Sequence, residues 1–362
     1  MRVLLLTTAA TVMRSVAADG AFCESGLDCS LNGVCVDKAC VCDPGWTSHP
    51  SLSQGSPDCG MLDLKPVKSY ESFHGISEQS SSWGGSVLQL PAAEGVNSSD
   101  GTVYAMFAAE MTHNCTLRHW LTNSEVVLAV ADSPTGPYKE QFQVIPPWAH
   151  NPEAILTSDG TVVIYTLGDG IPYHGPEFRC DEPPAPAPKP PPAPPPAPPS
   201  PTHTANFTLH YAPAKAGAFT SKDNWKALNV SILDFPTEFQ WPGNWNPAPI
   251  ALPDGRVRVM VHTGWSRITG NLTGWSGEVI IEADDWRGPY RVISSKDITS
   301  CTYCEEDPYM WQARRPPHMP SVDVAFTHSV ASSCCLVAGV SSECNTLRAD
   351  RTVHLAVLTH TT

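Results

Sequence analysis

The strongest constraint on this chain is an internal repeat that begins near residue 82. Three kinds of segment return in order: a short opener, an Asp-Gly pair followed by alternating β-forming residues, and a strand that ends in Gly-Pro-Tyr. Openers stand at 82–88, 149–155, 245–250 and 306–311, Asp-Gly pairs at 100–101, 159–160 and 254–255, and Gly-Pro-Tyr turns at 136–138 and 288–290. Asp-Gly accepts positive φ, so each pair predicts a hairpin turn.

The spacing of the repeat indicates the fold class. Successive openers are about 65, 95 and 60 residues apart, with no helical period between them, so each interval holds about four short strands. Repeated four-stranded units favour a β-propeller, in which the first strand of each blade lines a central channel. A β-sandwich explains the alternation but not the ordered return of three segment types. We therefore predict an all-β fold with the propeller at 61–315.

Two stretches depart from the repeat. Residues 183–201 contain 13 prolines in 19 positions and are expected to project as a stiff polyproline II insert in the second blade. Such tracts can serve as ligands for proline-reading domains or as glycosylated stalks, and a solvated loop insertion is the simplest interpretation. Residues 316–362 lack both turn types, so the last blade is predicted to be incomplete or degenerate, or this segment to be a tail.

A smaller region at 19–60 is rich in cysteine. Six cysteines lie within 37 residues, too few residues to enclose a hydrophobic core, so disulfides must hold the segment. Zinc is the competing use, but no histidine stands at ligand spacing, and we predict no metal and no cofactor. Spacing alone allows 15 pairings of six cysteines.

The spacing C-x5-C-x5-C-x4-C-x-C-x16-C, with turn sequences at 32–33 and 43–46, resembles the EGF-like family. The resemblance implies the pairs Cys23–Cys35, Cys29–Cys40 and Cys42–Cys59, and makes the module a candidate docking site for extracellular proteins. Seven further cysteines are an odd number, so at least one is free or intermolecular.

Several features predict an exported protein. Residues 1–18 resemble a cleaved signal peptide, and thirteen cysteines favour an oxidising compartment. No later segment is long and apolar enough to span a membrane. The formal charge of −14 argues against nucleic acid as a partner, since phosphates require a basic surface. Five N-x-S/T sequons predict N-glycosylation, at Asn97, Asn114, Asn206, Asn229 and Asn271.

The openers, with the blocks at 107–111 and 123–125, resemble the five-bladed propellers of arabinanase and β-xylosidase type glycoside hydrolases. Together with the cysteine module they are also similar to EGF-containing propeller proteins of algae and plants. The hydrolase resemblance implies three channel acids, because glycosidic cleavage requires a carboxylic acid and a carboxylate. Here Gly85, Asn151 and Asn246 stand where aspartates are expected, and only the fourth opener keeps acids, Glu306 and Asp307.

Catalytic candidates are therefore Glu306 and, at the ends of neighbouring strands, Glu110 and Glu125. Surface ion pairs are the alternative role for these glutamates. Residues predicted to contact sugar share a position beside the openers or strand ends: Trp148, His150, Asn151, Trp245, Asn246, His262 and Asp307. Tryptophans stack on sugar rings but also fill the space between blades, and histidines there are often structural.

These observations predict a secreted, carbohydrate-interacting β-propeller that binds extracellular or cell-wall glycans. One alternative is a glycoside hydrolase that uses relocated channel carboxylates. The other is a non-enzymatic adhesion or matrix protein in which the propeller is a scaffold, because fold alone does not determine function.

Overall fold

The computed structural model describes residues 23–30, 32–48, 58–63, 81–93, 98, 100–171, 175–182, 205–235, 246–263, 277–294, 306–312, 322–328 and 354–359. The predicted signal peptide and proline-rich insert lie outside these ranges, as do Asn97, Trp245 and Asn271. The described residues form two compact units, 23–63 and 81–359. No helix in the described part of the chain is long and apolar enough to cross a membrane.

The first unit is a disulfide-bonded pair of small hairpins. Its strands are β1 (Gly33–Val36), β2 (Ala39–Cys42), β3 (Trp46–Thr47) and β4 (Met61–Leu62), with β1 antiparallel to β2 and β3 antiparallel to β4. The disulfides are those that the EGF-like resemblance implies: Cys23–Cys35, Cys29–Cys40 and Cys42–Cys59. Gly33 is required sterically, since a Cβ there would lie 2.6 Å from the carbonyl oxygen of Val41.

The described strands of the second unit form four successive groups, antiparallel within each group, which we call blades one to four. Blade one contains β5 (Ser82–Pro91), β6 (Thr102–Met111), β7 (Ser124–Ala131) and β8 (Lys139–Ile145). Blade two contains β9 (His150–Leu156), β10 (Thr161–Leu167), β11 (Ala205–Pro213) and β12 (Lys226–Leu233). Short helical segments lie between strands at Leu117–His119, Trp120–Asn123, Lys215–Thr220 and Lys222–Asn224.

Blade three contains β13 (Ala248–Ala251), β14 (Val257–Thr263), β15 (Gly277–Ala283) and β16 (Tyr290–Val292). Its last strand pairs in parallel with β12, so that blades two and three share one eight-stranded sheet. Blade four contains β17 (Glu306–Gln312), β18 (Val322–His328) and β19 (His354–Thr359). The segment after residue 315 thus supplies two strands that pair in sequence with β17.

The repeated turns have repeated geometry. In Asp100, Asp159 and Asp254, Oδ1 accepts a hydrogen bond from the backbone N–H two residues ahead, at 3.0, 3.1 and 3.2 Å. The glycine that follows each aspartate has a φ of 73°, 80° or 95°. A side chain with a Cβ rarely adopts this conformation, so the Asp-Gly pair fixes where each first hairpin turns.

The Gly-Pro-Tyr turns also match one another. Tyr138 and Tyr290 are buried, and each hydroxyl donates to the backbone carbonyl four residues earlier at 2.9 Å. Each turn therefore ends with a tyrosine anchored to its own loop, which positions the last strand of its blade.

Apolar side chains alternate along the strands and pack between neighbouring blades. Leu90 and Phe107 of blade one pack with Ile164 of blade two, whereas Tyr165 and Leu209 of blade two face blade three. A smaller cluster joins blade three to blade four through Met260, Ile280 and Met310, together with Ala248. Successive sheets therefore share hydrophobic interfaces.

The first strands of the blades lie side by side: β5 contacts β9, β9 contacts β13, and β13 contacts β17. Four-stranded sheets whose first strands meet in succession are the arrangement of a β-propeller. The all-β prediction, with a disulfide-rich module followed by a propeller, is confirmed. The described strands form four blades, and the five-bladed count stays a prediction.

Candidate functional site

A cavity of about 280 Å³ opens where the four first strands begin. Each blade contributes to its wall, and the described lining consists of Trp83, Gly84, Gly85, Asn151, Glu153, Asn246, Pro247 and Tyr309. All four openers predicted from the repeat thus contribute to this cavity, the fourth through Tyr309.

The glycines of β5 allow close packing at this point. A β-bulge lies between Trp83 and Gly85, and Gly84 and Gly85 have φ values of 61° and 135°. A Cβ on Gly85 would lie 2.5 Å from the carbonyl oxygen of Phe107, and one on Gly84 would lie 3.0 Å from Oδ1 of Asn151. The Gly-Gly pair therefore brings the backbone of blade one against the first strand of blade two.

An amide pair links blades two and three beside the cavity. Nδ2 of Asn151 donates to Oδ1 of Asn246 at 3.0 Å. Asn151 has a φ of 46°, a left-handed conformation that asparagine tolerates better than most residues. Both predicted ligand-contacting asparagines thus line the cavity, and the hydrogen bond between them requires at least one amide donor. Two aspartate carboxylates could not make this contact without a shared proton.

The cavity also presents one carboxylate and two aromatic rings. Glu153 stands two residues after Asn151 on β9, on the same side of the strand by the period of two. Trp83 and Tyr309 are 44% and 56% exposed. Exposed rings beside polar amides and a carboxylate combine an apolar face with hydrogen-bonding groups.

Trp148 and His150 take core positions. Trp148 is 5% exposed, with its ring centroid 5.3 Å from that of Trp120. The ring of His150 stacks on that of Trp120, with the two centroids 5.2 Å apart. Nδ1 of His150 lies 2.7 Å from Oγ of Ser124. Burial lowers the pKa of His150 to about 4, so the ring is neutral near pH 7. Both side chains pack against Trp120 of a short helical segment and lie outside the described cavity lining.

Glu110 and Glu125 lie opposite each other on β6 and β7, and neither belongs to the described lining of the cavity. Burial raises the pKa of Glu125, and repulsion from the Glu177 carboxylate raises it further. The side-chain amide of Gln143 donates a hydrogen bond to the Glu125 carboxylate and lowers this pKa in part. The two glutamates therefore form a separate polar group at the end of blade one.

A strap beside this group joins the loop after β6 to the loop after β10. Cys115 and Cys180 form a disulfide. The fully buried Asn123 donates through Nδ2 to the carbonyl of Phe178 at 2.9 Å and accepts from the same residue's N–H at 3.0 Å. These bonds fix the chain that leads into the proline-rich insert. The sulfurs of Cys115 and Cys180 lie near His119, but a disulfide offers no thiolate for a metal.

For three candidates the structure describes the backbone alone. Glu306 and Asp307 begin β17, two residues or more before Tyr309, and His262 lies on β14 opposite Glu278. Trp245, directly before Asn246, lies outside the described residues. The three described sequon asparagines are exposed: Asn114, Asn206 and Asn229.

Three residues of the described lining were not among the predicted site residues: Trp83, Glu153 and Tyr309. The signal for Glu153 was present, because a residue two positions after Asn151 in a strand faces the same side. Tyr309 lies within the fourth opener, at 306–311, but the spacing there does not tell which side of the strand faces the cavity. The Cys115–Cys180 pair had no such signal, since 65 positions separate its members.

No protein-family model matches the sequence, and the comparison with curated proteins found no match. Solved structures of similar shape include the GH43 protein BlXynB from Bacillus licheniformis, at 10% identity and a TM-score of 0.37, over 68% of this chain and 37% of that one. The chain thus spans little more than a third of the BlXynB structure.

The match covers a larger share of the solved chain for two further similar structures. Zg3597, a family 117 glycoside hydrolase from Zobellia galactanivorans, matches at 12% identity and a TM-score of 0.36, over 69% of this chain and 77% of that one. The α-L-arabinanase of Cellvibrio cellulosa, complexed with arabinohexaose, matches at 9% identity and a TM-score of 0.34, over 68% and 69%. At these identities and TM-scores the likeness says nothing about activity.

Proposed function

We propose that this protein is an exported glycan-binding β-propeller whose cavity holds a short segment of an extracellular or cell-wall polysaccharide. The observation that supports this most is the composition of the cavity wall. Two exposed aromatic rings, an amide pair and a carboxylate converge from four different blades. A sugar has apolar C–H faces and a rim of hydroxyl groups, and these residue types complement both.

Each group has a defined part in this proposal. The indole of Trp83 and the ring of Tyr309 stack on the C–H face of a sugar ring. The Glu153 carboxylate accepts hydrogen bonds from hydroxyl groups, and asparagine amides both donate and accept. The volume of about 280 Å³ is at the lower end for small-molecule sites, which suits one or two sugar units rather than a long chain.

The described lining suits binding, because its aromatic rings and amides complement a sugar, and the carboxylate that it includes is that of Glu153. Glycosidic cleavage requires two carboxyl groups, about 5–5.5 Å apart for retention or about 6.5–9.5 Å for inversion. The second candidate function is nevertheless hydrolysis, and one observation favours it. Glu306 and Asp307 begin the strand that carries Tyr309 into the cavity, so a partner carboxylate for Glu153 would come from this opener.

Export rests on the disulfides as well as on the sequence of residues 1–18. Four disulfides form among the described residues, three in the first unit and one in blades one and two, and such bonds persist in oxidising compartments. Docking of extracellular proteins on the EGF-like module stays a prediction.

The test is a binding panel of purified neutral plant and algal polysaccharides, with the wild-type chain and Trp83→Ala. Loss of one stacked ring is expected to weaken binding by roughly tenfold, since aromatic stacking contributes about 1 kcal/mol or more. Phe178→Ala is the matched control, because Phe178 is 55% exposed and lies outside the described lining. Equal affinity of Trp83→Ala and wild type for every bound glycan would refute the cavity as the site.

A release assay on the same polysaccharides separates the two candidate functions. If the protein liberates reducing sugars and Glu153→Gln lowers the rate by about 10²-fold or more, the protein is a hydrolase. Binding without release in the wild type supports the binding function.

A further inference from the structure

Two predicted N-glycosylation sequons interlock on adjacent strands of blade two. Asn206-Phe207-Thr208 lies on β11 and Asn229-Val230-Ser231 lies on β12. In the antiparallel register Asn206 is opposite Ser231, and Thr208 is opposite Asn229. The asparagine of each sequon therefore stands across from the hydroxyl residue of the other.

Strand alternation puts all four of these polar residues on one face of the sheet. The middle residues of the two sequons, Phe207 and Val230, point to the opposite side and are 7% and 3% exposed in the core between blades two and three. Asn206 and Asn229 are both exposed. Because the core fixes the middle residues, the two asparagine side chains have a fixed direction.

In the folded chain the amide of Asn206 has a fixed orientation. Oγ of Ser231 donates to its Oδ1 at 2.8 Å, so the carbonyl side of the amide is held by the neighbouring strand. Attachment of a sugar at Nδ2 leaves this hydrogen bond intact, since Oδ1 keeps its acceptor lone pairs. Ser231 thus has two roles: it is the hydroxyl residue of its own sequon and it positions the asparagine of the other.

The location also gives the modification a use. Within the described residues, β12 pairs on its outer side with β16 only through Ile232 and Leu233, so residues 226–231 have one open edge. An open strand edge favours pairing with another chain, and proteins usually protect it with charge or bulk. In residues 226–231 the one charged side chain is Lys226, at the first position of the strand, which leaves the part beside Asn229 and Ser231 without charge.

We propose that Asn206 and Asn229 both carry N-linked glycans and form a paired modification site that covers the outer part of blade two. This goes beyond the glycan-binding cavity, because here the sugar is attached to the chain. The donor is an oligosaccharide on a lipid pyrophosphate. Nδ2 forms a bond to C1 of the sugar, the C1–oxygen bond to the pyrophosphate breaks, the amide loses one proton, and the lipid pyrophosphate leaves.

The pairing has a geometric consequence. Asn206 and Asn229 are diagonal neighbours across the two strands, about 7–8 Å apart, and two glycans at that separation extend from the same face. We expect transfer before this sheet folds, while the two sequons are 23 positions apart along the chain. Folding then brings the finished glycans together.

The test expresses the full chain behind a known export signal in a eukaryotic host, so that the result does not depend on residues 1–18. Enzymatic removal of N-glycans in ¹⁸O-water marks each occupied asparagine by its conversion to ¹⁸O-aspartate, which peptide mass spectrometry locates. Both Asn206 and Asn229 are expected to be marked in the folded, secreted protein. An unmarked residue at either position overturns the paired site.

Variants separate the roles of Ser231. Ser231→Ala is expected to remove the glycan at Asn229 and leave the one at Asn206, whereas Ser231→Thr keeps both. Asn206→Gln combined with Asn229→Gln should yield a chain that associates with increasing concentration in sedimentation experiments. If this double variant associates no more than the glycosylated protein does, the glycans do not protect the open edge, and that part of the proposal fails.

Discussion

The disulfide-rich unit and the blades are both built from short antiparallel strands, yet different forces hold them. In residues 23–63 the buried apolar groups are cysteines, and Val34, Val36 and Val41 are 46%, 47% and 54% exposed. In the blades, residues such as Phe107 and Leu209 are fully buried between two sheets. A strand pair with no second layer depends on covalent links, whereas a strand with a sheet on each side is stabilised by burial.

The largest effect expected from this difference is in the first unit. Cys29→Ala with Cys40→Ala removes one of three disulfides from a segment whose core consists of them, and such a loss costs about 2–5 kcal/mol. This is enough to unfold residues 23–63, while the blades stay folded. Limited proteolysis should cut this segment alone. A variant whose first unit resists protease as well as wild type would show that non-covalent packing suffices there.

The disulfide of the blades provides the matched comparison. Cys115→Ala with Cys180→Ala opens a link across 65 positions, for which the chain-entropy model gives about 4 kcal/mol. We expect the urea midpoint of the blades, followed by tryptophan fluorescence, to fall without loss of the folded state at neutral pH. Complete unfolding of this variant in buffer would mean that the interfaces between blades contribute less than their burial indicates.

The blades should also be sensitive to acid through two buried histidines. Burial lowers the pKa values of His150 and His210 to about 4, whereas the unfolded chain titrates near 6.5. Between these values the unfolded state binds more protons, so stability falls as the pH drops from about 6.5 to about 4. Each histidine contributes about 3 kcal/mol to this loss.

Urea titrations at pH 7 and pH 4.5 measure this effect, and His150→Gln with His210→Gln should flatten the difference. Nδ1 of His210 has no hydrogen-bond partner within the described structure, so no hydrogen bond at this atom offsets the cost of a buried positive charge. An unchanged pH dependence in the double variant would assign the acid sensitivity to other groups.

The smallest effect concerns a single hydroxyl group between blades. The hydroxyl oxygens of Tyr165 and Tyr290 are 2.8 Å apart. Because the Tyr290 hydroxyl donates its proton to the backbone carbonyl of Trp286, the Tyr165 hydroxyl is the donor in the hydrogen bond between the two tyrosines. Tyr165→Phe is expected to cost about 1 kcal/mol, measured as a shift in the urea midpoint. Tyr104→Phe, whose ring is only half-buried, is the control and should cause little change.

The local parts of the fold were predictable because short sequences fix them. An Asp-Gly pair selects a positive φ and a side-chain hydrogen bond within two residues, and Gly-Pro-Tyr anchors a turn within four. Repetition of these local rules identified the blades. The number of blades was less accessible, since blade four lacks both turn signals after Arg315.

The cavity was predictable only in part. Asn151 and Asn246 were found because each belongs to a recurring opener, but Trp148 looked equally suitable and is instead packed against Trp120. Which side of a strand faces the channel depends on long-range packing and on the bulge at Trp83, and sequence spacing does not contain that information. The same limit hid Tyr309.

The most direct test of the central claim is a crystal structure of the protein with a short neutral oligosaccharide taken from the binding panel. We predict a sugar ring against the indole of Trp83, with a hydroxyl group within hydrogen-bond distance of the Glu153 carboxylate and the Asn151–Asn246 pair intact. A sugar bound elsewhere on the blades, with this cavity empty at saturating ligand, would contradict it.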